Sequence, residues 1–212
     1  MGEHVELHHD QVGDLPRHVT RGGLMRVLSF PQLAVPPALH VQIVALQDQA
    51  WPRSPGEPST DHDPALQPVT MLLVDDHEVV LASLAILSKE ITHDGQRYAA
   101  SGLSTVVTDQ SHRTRGYGHR LVTAARDQIA ASGADLGIFT CDRALAMFYR
   151  RAGWQILPGT VLIGGTPENP FPSDRFDKVV LADLVTDHAH DHAADFNHAR
   201  IELFPGEIDK LW

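Results

Sequence analysis

Apolar positions along this chain change their spacing several times, and each change marks an element. Met1 to Gly23 is polar and without period, which reads as a loosely structured segment or a first edge strand. Leu24 to Phe30, "LMRVLSF", reads as a short strand. Beyond "PQLAVPP" the apolar residues Leu39, Val41, Ile43, Val44 and Leu46 fall at helical spacing. The prolines ahead of them suit a helix N-terminus, and Pro52 ends the run. "PRSPGEPSTDHDPALQP" then reads as a loop, and its length suggests a functional one.

The middle of the chain changes to strand spacing. "VTMLLVDD", "EVVLASLAILSKEI" and "RYAASGLSTVVT" follow one another, joined by a tight turn at Asp76-His77 and by "THDGQ" with its Asp-Gly signal. They predict an antiparallel meander. A helix is predicted from Gly116, with Leu121, Val122, Ala125 and Ile129 on its apolar face and Gly133 as its stop. "DLGIFTC" has the continuous apolar character of a buried strand. "DRALAMFYRRAG" reads as a short helix with Asp142 as N-cap and Gly153 just past its end. "TVLIGG", "DKVVLADL" and "ARIELF" are candidate strands in the tail, separated by Pro-rich and His-rich loops. The order predicts one domain over residues 1–212, a mixed α/β sheet covered by helices.

Charge narrows the partners. There are 27 acidic against 17 Lys and Arg residues, a formal net charge of -10. That balance disfavours nucleic acid, which needs clustered basic residues, and leans toward a cationic small molecule. The single cysteine, Cys141, excludes an internal disulfide and fits a reducing cytoplasm. No apolar run is long enough for a membrane span.

The chemistry concentrates in "HRTRGYGHRL", His112 to Leu121, where a strand runs into a helix through two glycines. A helix N-terminus offers unpaired N–H groups and partial positive charge, and glycine lets an anion approach the backbone. Arg113 and Arg115 add charged donors. The stretch reads as a pyrophosphate cradle. It lacks the Gly-Lys-Ser/Thr of a P-loop. It also has Leu121 where a dinucleotide fingerprint places its third glycine.

What remains, Arg113-Thr114-Arg115-Gly116-Tyr117-Gly118, resembles the acyl-CoA motif of the GNAT superfamily of N-acyltransferases. "RALAMFYRRAGW", Arg143 to Trp154, is similar to that family's second signature and lies one helix and one strand downstream. The resemblance implies an α/β (α+β) fold: a mixed, mostly antiparallel sheet with a splayed central strand pair, flanked by helices. It implies acetyl-CoA as co-substrate. Backbone groups of Val106, Val107 and Thr108 would pair with the pantetheine arm, and Arg113, Thr114, Arg115, Gly116, Tyr117, Gly118 and His119 would hold the pyrophosphate. Tyr149 would donate a proton to the leaving thiolate. Arg143 stands where many relatives carry Asn, a contact to the cofactor arm.

Within the superfamily, the segment from "MLLVDD" through the turn, with the closing Trp212, looks most like aminoglycoside 2′-N-acetyltransferases. Those carry a Glu base where Ser104 stands here, and a serine hydroxyl is no free base. The base is then Glu90, an acidic residue of the tail, or a water relay. Asp61, Asp63, Asp174, Asp177 and Asp209 are candidates for holding a cationic acceptor, and Trp212 for closing its pocket.

Plainer readings stand beside these. Tyr149 could pack at the edge of a stripe of Leu145, Phe148 and Ala152, and Cys141 is read as a core residue. The run Asp187 to His192 is read as a solvated loop, its ligands too crowded for a metal site. The sequence therefore predicts a cytoplasmic acetyl-CoA-dependent N-acetyltransferase, monomer or homodimer, acting on a cationic amine such as an aminoglycoside. Polyamines or protein amines are the enzymatic alternatives. A non-catalytic acyl-CoA sensor is the alternative from another class.

Overall fold

The computed structural model describes residues 24–54 and 61–212. The expectations for Met1 to Gly23 lie outside the described residues.

The edge strand β1 (Arg26–Pro31) leads through a short turn into α1 (Pro37–Ala50). Pro37 occupies the first helical position, where its missing N–H costs nothing. Leu39, Ile43 and Leu46 are buried at helical spacing, while Val41 is exposed. The meander follows as β2 (Val69–Val74), β3 (Val80–His93) and β4 (Gln96–Thr108), all antiparallel. Asp94 and Gly95, both with positive φ, close the β3–β4 hairpin in the two-residue turn their sequence demands.

The next elements are α2 (Tyr117–Ala131), β5 (Leu136–Asp142) and α3 (Ala146–Arg151). Leu121, Val122, Ala125 and Ile129 of α2 are all buried, as their spacing requires. Asp142 is no side-chain cap for the helical turn that follows; its carboxylate takes Lys178 Nζ at 2.8 Å instead.

The tail is more regular than its sequence suggests. It forms β6 (Gln155–Ile156), β7 (Val161–Gly165), β8 (Pro170–Pro172), β9 (Lys178–Leu184), α4 (Asp187–Asp191) and β10 (Arg200–Glu202). The main sheet is seven-stranded, ordered β1-β2-β3-β4-β5-β9-β6, and only β4–β5 pair in parallel. A second sheet, β10-β7-β8, lies outside it. The His-rich run is thus no loop: Asp187–Asp191 is a short helix capped by the Thr186 hydroxyl, and His188 stacks on Tyr98 at 4.9 Å. Among the described residues, no helix is long and apolar enough to cross a membrane.

Candidate active site

β4 and β5 stay together for only two registered pairs, Ala100–Leu136 and Ser101–Gly137. Beyond them β4 follows β3 and β5 follows β9, so the sheet opens into a fork. Trp212 lies in that fork, 6% exposed, its indole N–H donating to the Ile138 carbonyl at 2.9 Å. A Cβ on Gly102 would run into both the indole and that carbonyl, so the glycine makes the approach possible. The tail reaches the fork because the Gly165 N–H on β7 donates to the Lys210 carbonyl at 2.9 Å.

A pocket of about 420 Å³ fills the mouth of the fork. Ser104, Thr105 and Val106 of β4 form one wall, and Thr140 and Cys141 of β5 another. Opposite Leu84 the β4 strand bulges: Ser83 pairs with Val107 but Ala85 pairs with Ser104. Thr105 takes up the extra residue at φ 48°, a strained conformation for a β-branched side chain. From Gly102 onward, the β4 edge facing the fork has no strand partner among the described residues. Its N–H and C=O groups there can pair with an extended ligand, as the sequence predicts for Val106 to Thr108.

Tyr149 also faces the pocket. Its ring is set by edge contacts with Phe139 at 5.0 Å and Phe148 at 4.9 Å. It is Tyr149 and Ala146 that α3 buries, whereas Leu145 is exposed, so the predicted apolar stripe is displaced. Burial raises the Tyr149 pKa, and Cys141, once ionised, and Asp142 raise it further. The phenol therefore keeps its proton at neutral pH. Cys141 lines the same pocket rather than the core alone, and burial pushes its thiol up to about 11.

Below the fork, β4 runs into the predicted cradle. Gly116 caps α2 at φ 82°, and Gly118 packs so closely under Thr108 that a Cβ would strike the Thr108 hydroxyl. Arg113 and Arg115 are exposed and in no ion pair among the described residues. Asp109 organises the turn before them, accepting from the Ser111 N–H and hydroxyl, the Gln49 amide at 3.0 Å and His112 Nδ1 at 2.9 Å. The bonds from Ser111, Gln49 and His112 hold its carboxyl well below the usual carboxylate range. The turn has an open backbone, a positive helix end and, among the described residues, two arginines outside any ion pair, which are the features an anion site needs.

Other predicted residues are occupied elsewhere. His119 Nε2 contacts the Arg151 carbonyl at 3.1 Å, and Tyr117 and Arg115 line a separate groove beside His112. Arg143 and Asp177 pair with each other at 2.7 Å, and Asp174 pairs with Arg200 at 2.9 Å. Glu90 sits near the far end of β3, paired with Arg97 at 2.6 Å and outside the pocket, so it is not the base.

Sequence reasoning missed His62. It named Asp61 and Asp63 on either side, but His62 is the one buried, 8% exposed, at the pocket wall. His62 Nδ1 lies 2.5 Å from Asp209 Oδ1 in the tail. A histidine in a polar loop carries no local signal; its partner lies far along the chain.

A sequence model described as Acetyltransferase (GNAT) domain matches residues 35–157. The chain belongs to the GNAT acetyltransferases. These enzymes take their acyl group from acetyl-CoA, in keeping with the open β4 edge and the anion cradle. No curated protein sequence matches the chain. Among solved structures, an acyl-CoA N-acyltransferase from Pseudomonas aeruginosa aligns at 14% identity and TM-score 0.53, over 75% of this chain and 99% of that one. An aminoglycoside 6′-N-acetyltransferase complexed with coenzyme A aligns at 16% identity and TM-score 0.53, over 75% and 97%. A GCN5-related N-acetyltransferase from Kribbella flavida aligns at 16% identity and TM-score 0.50, over 64% of this chain but only 34% of that longer one. At these identities the likeness is one of fold.

Proposed function

We propose that this GNAT chain transfers acetyl from acetyl-CoA to a primary amine of a small molecule by direct attack, with Tyr149 as general acid. The observation that carries this reading is the convergence of the Tyr149 phenol and the bulged, unpartnered β4 edge on one pocket. The cradle at the end of the same strand would hold the pyrophosphate through Arg113 and the first N–H groups of α2. The backbone at the bulge is suited to donate to the developing oxyanion. Tyr149, kept neutral by burial, would protonate the departing sulfur.

The acceptor is the finer part of the proposal. A cationic amine is supported by the net charge of -10, but less by the pocket itself. Asp209 faces His62, Asp142 faces Lys178, and Asp174 and Asp177 face arginines. Trp51 and Ile208, both half-exposed, give the pocket mouth an apolar rim. An amine carried on a partly apolar body suits that rim better than a polycation does. Aminoglycosides, named from the likeness to the 2′-N-acetyltransferases, and polyamines are the competing classes.

The test is thiol release from acetyl-CoA with kanamycin, spermidine, phenethylamine and a lysine peptide, for wild type and Tyr149→Phe. Release that depends on one amine class and falls with Tyr149→Phe supports the reading and names the class. Acetyl-CoA binding without release in any arm overturns it in favour of a sensor.

A further inference from the structure

We infer that His62, held by Asp209, is the general base that accepts the amine proton, with the Thr105 hydroxyl relaying it; this rests on the acetyltransferase reading of the pocket.

The reaction needs such a group. An alkylammonium has a pKa near that of lysine, about 10.4, so the attacking nitrogen must shed protons to form the amide. Ser104 lines the pocket but offers only a hydroxyl, which is no free base at neutral pH, and Glu90 lies outside the pocket, paired with Arg97. His62 is the histidine that lines it.

Its tautomer follows from its partner. Asp209 Oδ1 lies 2.5 Å from His62 Nδ1, and Asp209 Oδ2 accepts from the Asp63 N–H at 3.1 Å. An ionised carboxylate only accepts, so Nδ1 carries the ring proton and Nε2 presents a lone pair. Nε2 stands 3.3 Å from Thr105 Oγ1. The Thr105 hydroxyl can donate to Nε2 and turn its own lone pairs to the pocket. The imidazole is fixed at its backbone too. Gln32 accepts from the His62 N–H at 3.1 Å and donates to the His62 carbonyl at 3.1 Å. A loop, a strand bulge and the tail thus meet to hold one ring, and the strain at Thr105, φ 48°, falls at the meeting point.

The step balances. The ammonium first gives one proton to solvent, and the lone pair so freed forms the N–C bond to the thioester carbon while the C=O π pair moves to oxygen. The N–H proton passes to Thr105 as the Thr105 proton passes to His62 Nε2. The oxyanion pair then re-forms C=O, the C–S bond breaks with its pair on sulfur, and Tyr149 gives that sulfur its proton. The products are the amide and the free thiol of CoA. Solvent returns the proton from imidazolium to tyrosinate.

Several charged and titratable groups face His62. Asp209 touches it, Asp61 and Asp63 flank it, and His40 on α1 faces Asp61 at 3.9 Å. Across the pocket stand Asp142, Lys178, Lys210, Cys141 and Tyr149. Asp209 acts through the His62 ring, at Nδ1, and is a positioning residue: it stabilises the imidazolium.

The experiment compares wild type, His62→Gln, Asp209→Asn, Thr105→Val and Thr105→Ser. Acetyl-CoA affinity by calorimetry serves as the fold control and stays within about threefold of wild type. With the amine class that releases thiol, log kcat/KM against pH shows an acidic limb in wild type. His62→Gln lowers kcat/KM by about 10²–10⁴ and abolishes that limb. Asp209→Asn moves the limb to lower pH, and Thr105→Ser retains the activity that Thr105→Val loses. His62→Gln with a wild-type rate and limb overturns the base while leaving the acetyltransferase reading intact. A wild type that binds acetyl-CoA but releases thiol with no amine defeats that reading, and the base falls with it. Incubation with acetyl-CoA alone, followed by mass spectrometry, separates a further rival. An acetyl group found on Thr105 makes the threonine a nucleophile of a two-step transfer and overturns the relay.

Discussion

The indole N–H of Trp212 occupies the Ile138 carbonyl at 2.9 Å, at the point where β4 and β5 separate. A side chain, not a strand, satisfies the first carbonyl of the fork and holds it open. Trp212→Ala removes both the wedge and the bond. The expected loss of stability is about 3–5 kcal/mol, the range for a buried aromatic truncated to alanine. Trp212→Phe keeps most of the bulk and leaves the carbonyl unpaired, so its loss should be smaller, about 1–3 kcal/mol. Urea unfolding of the two variants checks the order. Gly102→Ala is the converse test: its methyl meets both the indole and the Ile138 carbonyl, so the tail and the β5 backbone beside it must both shift. Increased protease cleavage of the tail is the expected readout.

Tyr149 makes a pH prediction with a definite sign. Burial raises its pKa in the folded protein, so the native state holds this proton where an unfolded tyrosine would lose it. Its linkage contribution is complete below about pH 10 and is lost as pH rises through the raised folded value. Spectrophotometric titration of wild type minus Tyr149→Phe should show one tyrosinate appearing well above pH 10. Appearance of that tyrosinate at the ordinary value would mean the ring is solvated and unsuited to hold a proton for the thiolate.

Asp109 couples the cradle to α1. Its carboxylate ties Ser111 and His112 to Gln49, and Gln49 in turn accepts from the Gln110 N–H at 3.0 Å. Asp109→Ala should free the turn that aims Arg113 and weaken acetyl-CoA binding about tenfold by calorimetry, with little change in the helical signal. Because its pKa is depressed, its stabilising contribution is present above about pH 4, the unfolded value, and is lost as pH falls through the lower folded value. Acid unfolding of the variant should accordingly be less steep than that of wild type in this range.

Local signals explain what could be read in advance. The α2 face, the Asp94-Gly95 hairpin and the cradle each lie within a few residues, so period and turn chemistry declare them. The site's other half is built by distance. His62 and Asp209 meet through the route of the tail over β7, which no short window contains. The carboxylates Asp174 and Asp177 looked free for a cation because their arginine partners, Arg200 and Arg143, lie well away in sequence. The Thr105 bulge is likewise a property of pairing with β3, invisible in "LSTVVT" alone.

The two arginines of the cradle can be tested with a substrate that lacks what they hold. Arg113 and Arg115 are exposed and outside any ion pair among the described residues, so removing either leaves no buried partner unsatisfied. Stability should therefore stay within about 0.5 kcal/mol of wild type. If Arg113 grips pyrophosphate, Arg113→Ala should weaken acetyl-CoA by about 10-fold, in the range of one charge-assisted contact. It should leave S-acetylpantetheine, which has no pyrophosphate, unchanged. Added salt should narrow the gap between wild type and variant for acetyl-CoA only, because screening acts on that contact at the surface. Arg115 lines the groove with Tyr117 and His112 rather than the fork, so Arg115→Ala should cost less than Arg113→Ala. Equal losses on both substrates would instead place the arginine effect in the turn's conformation and not in a phosphate contact.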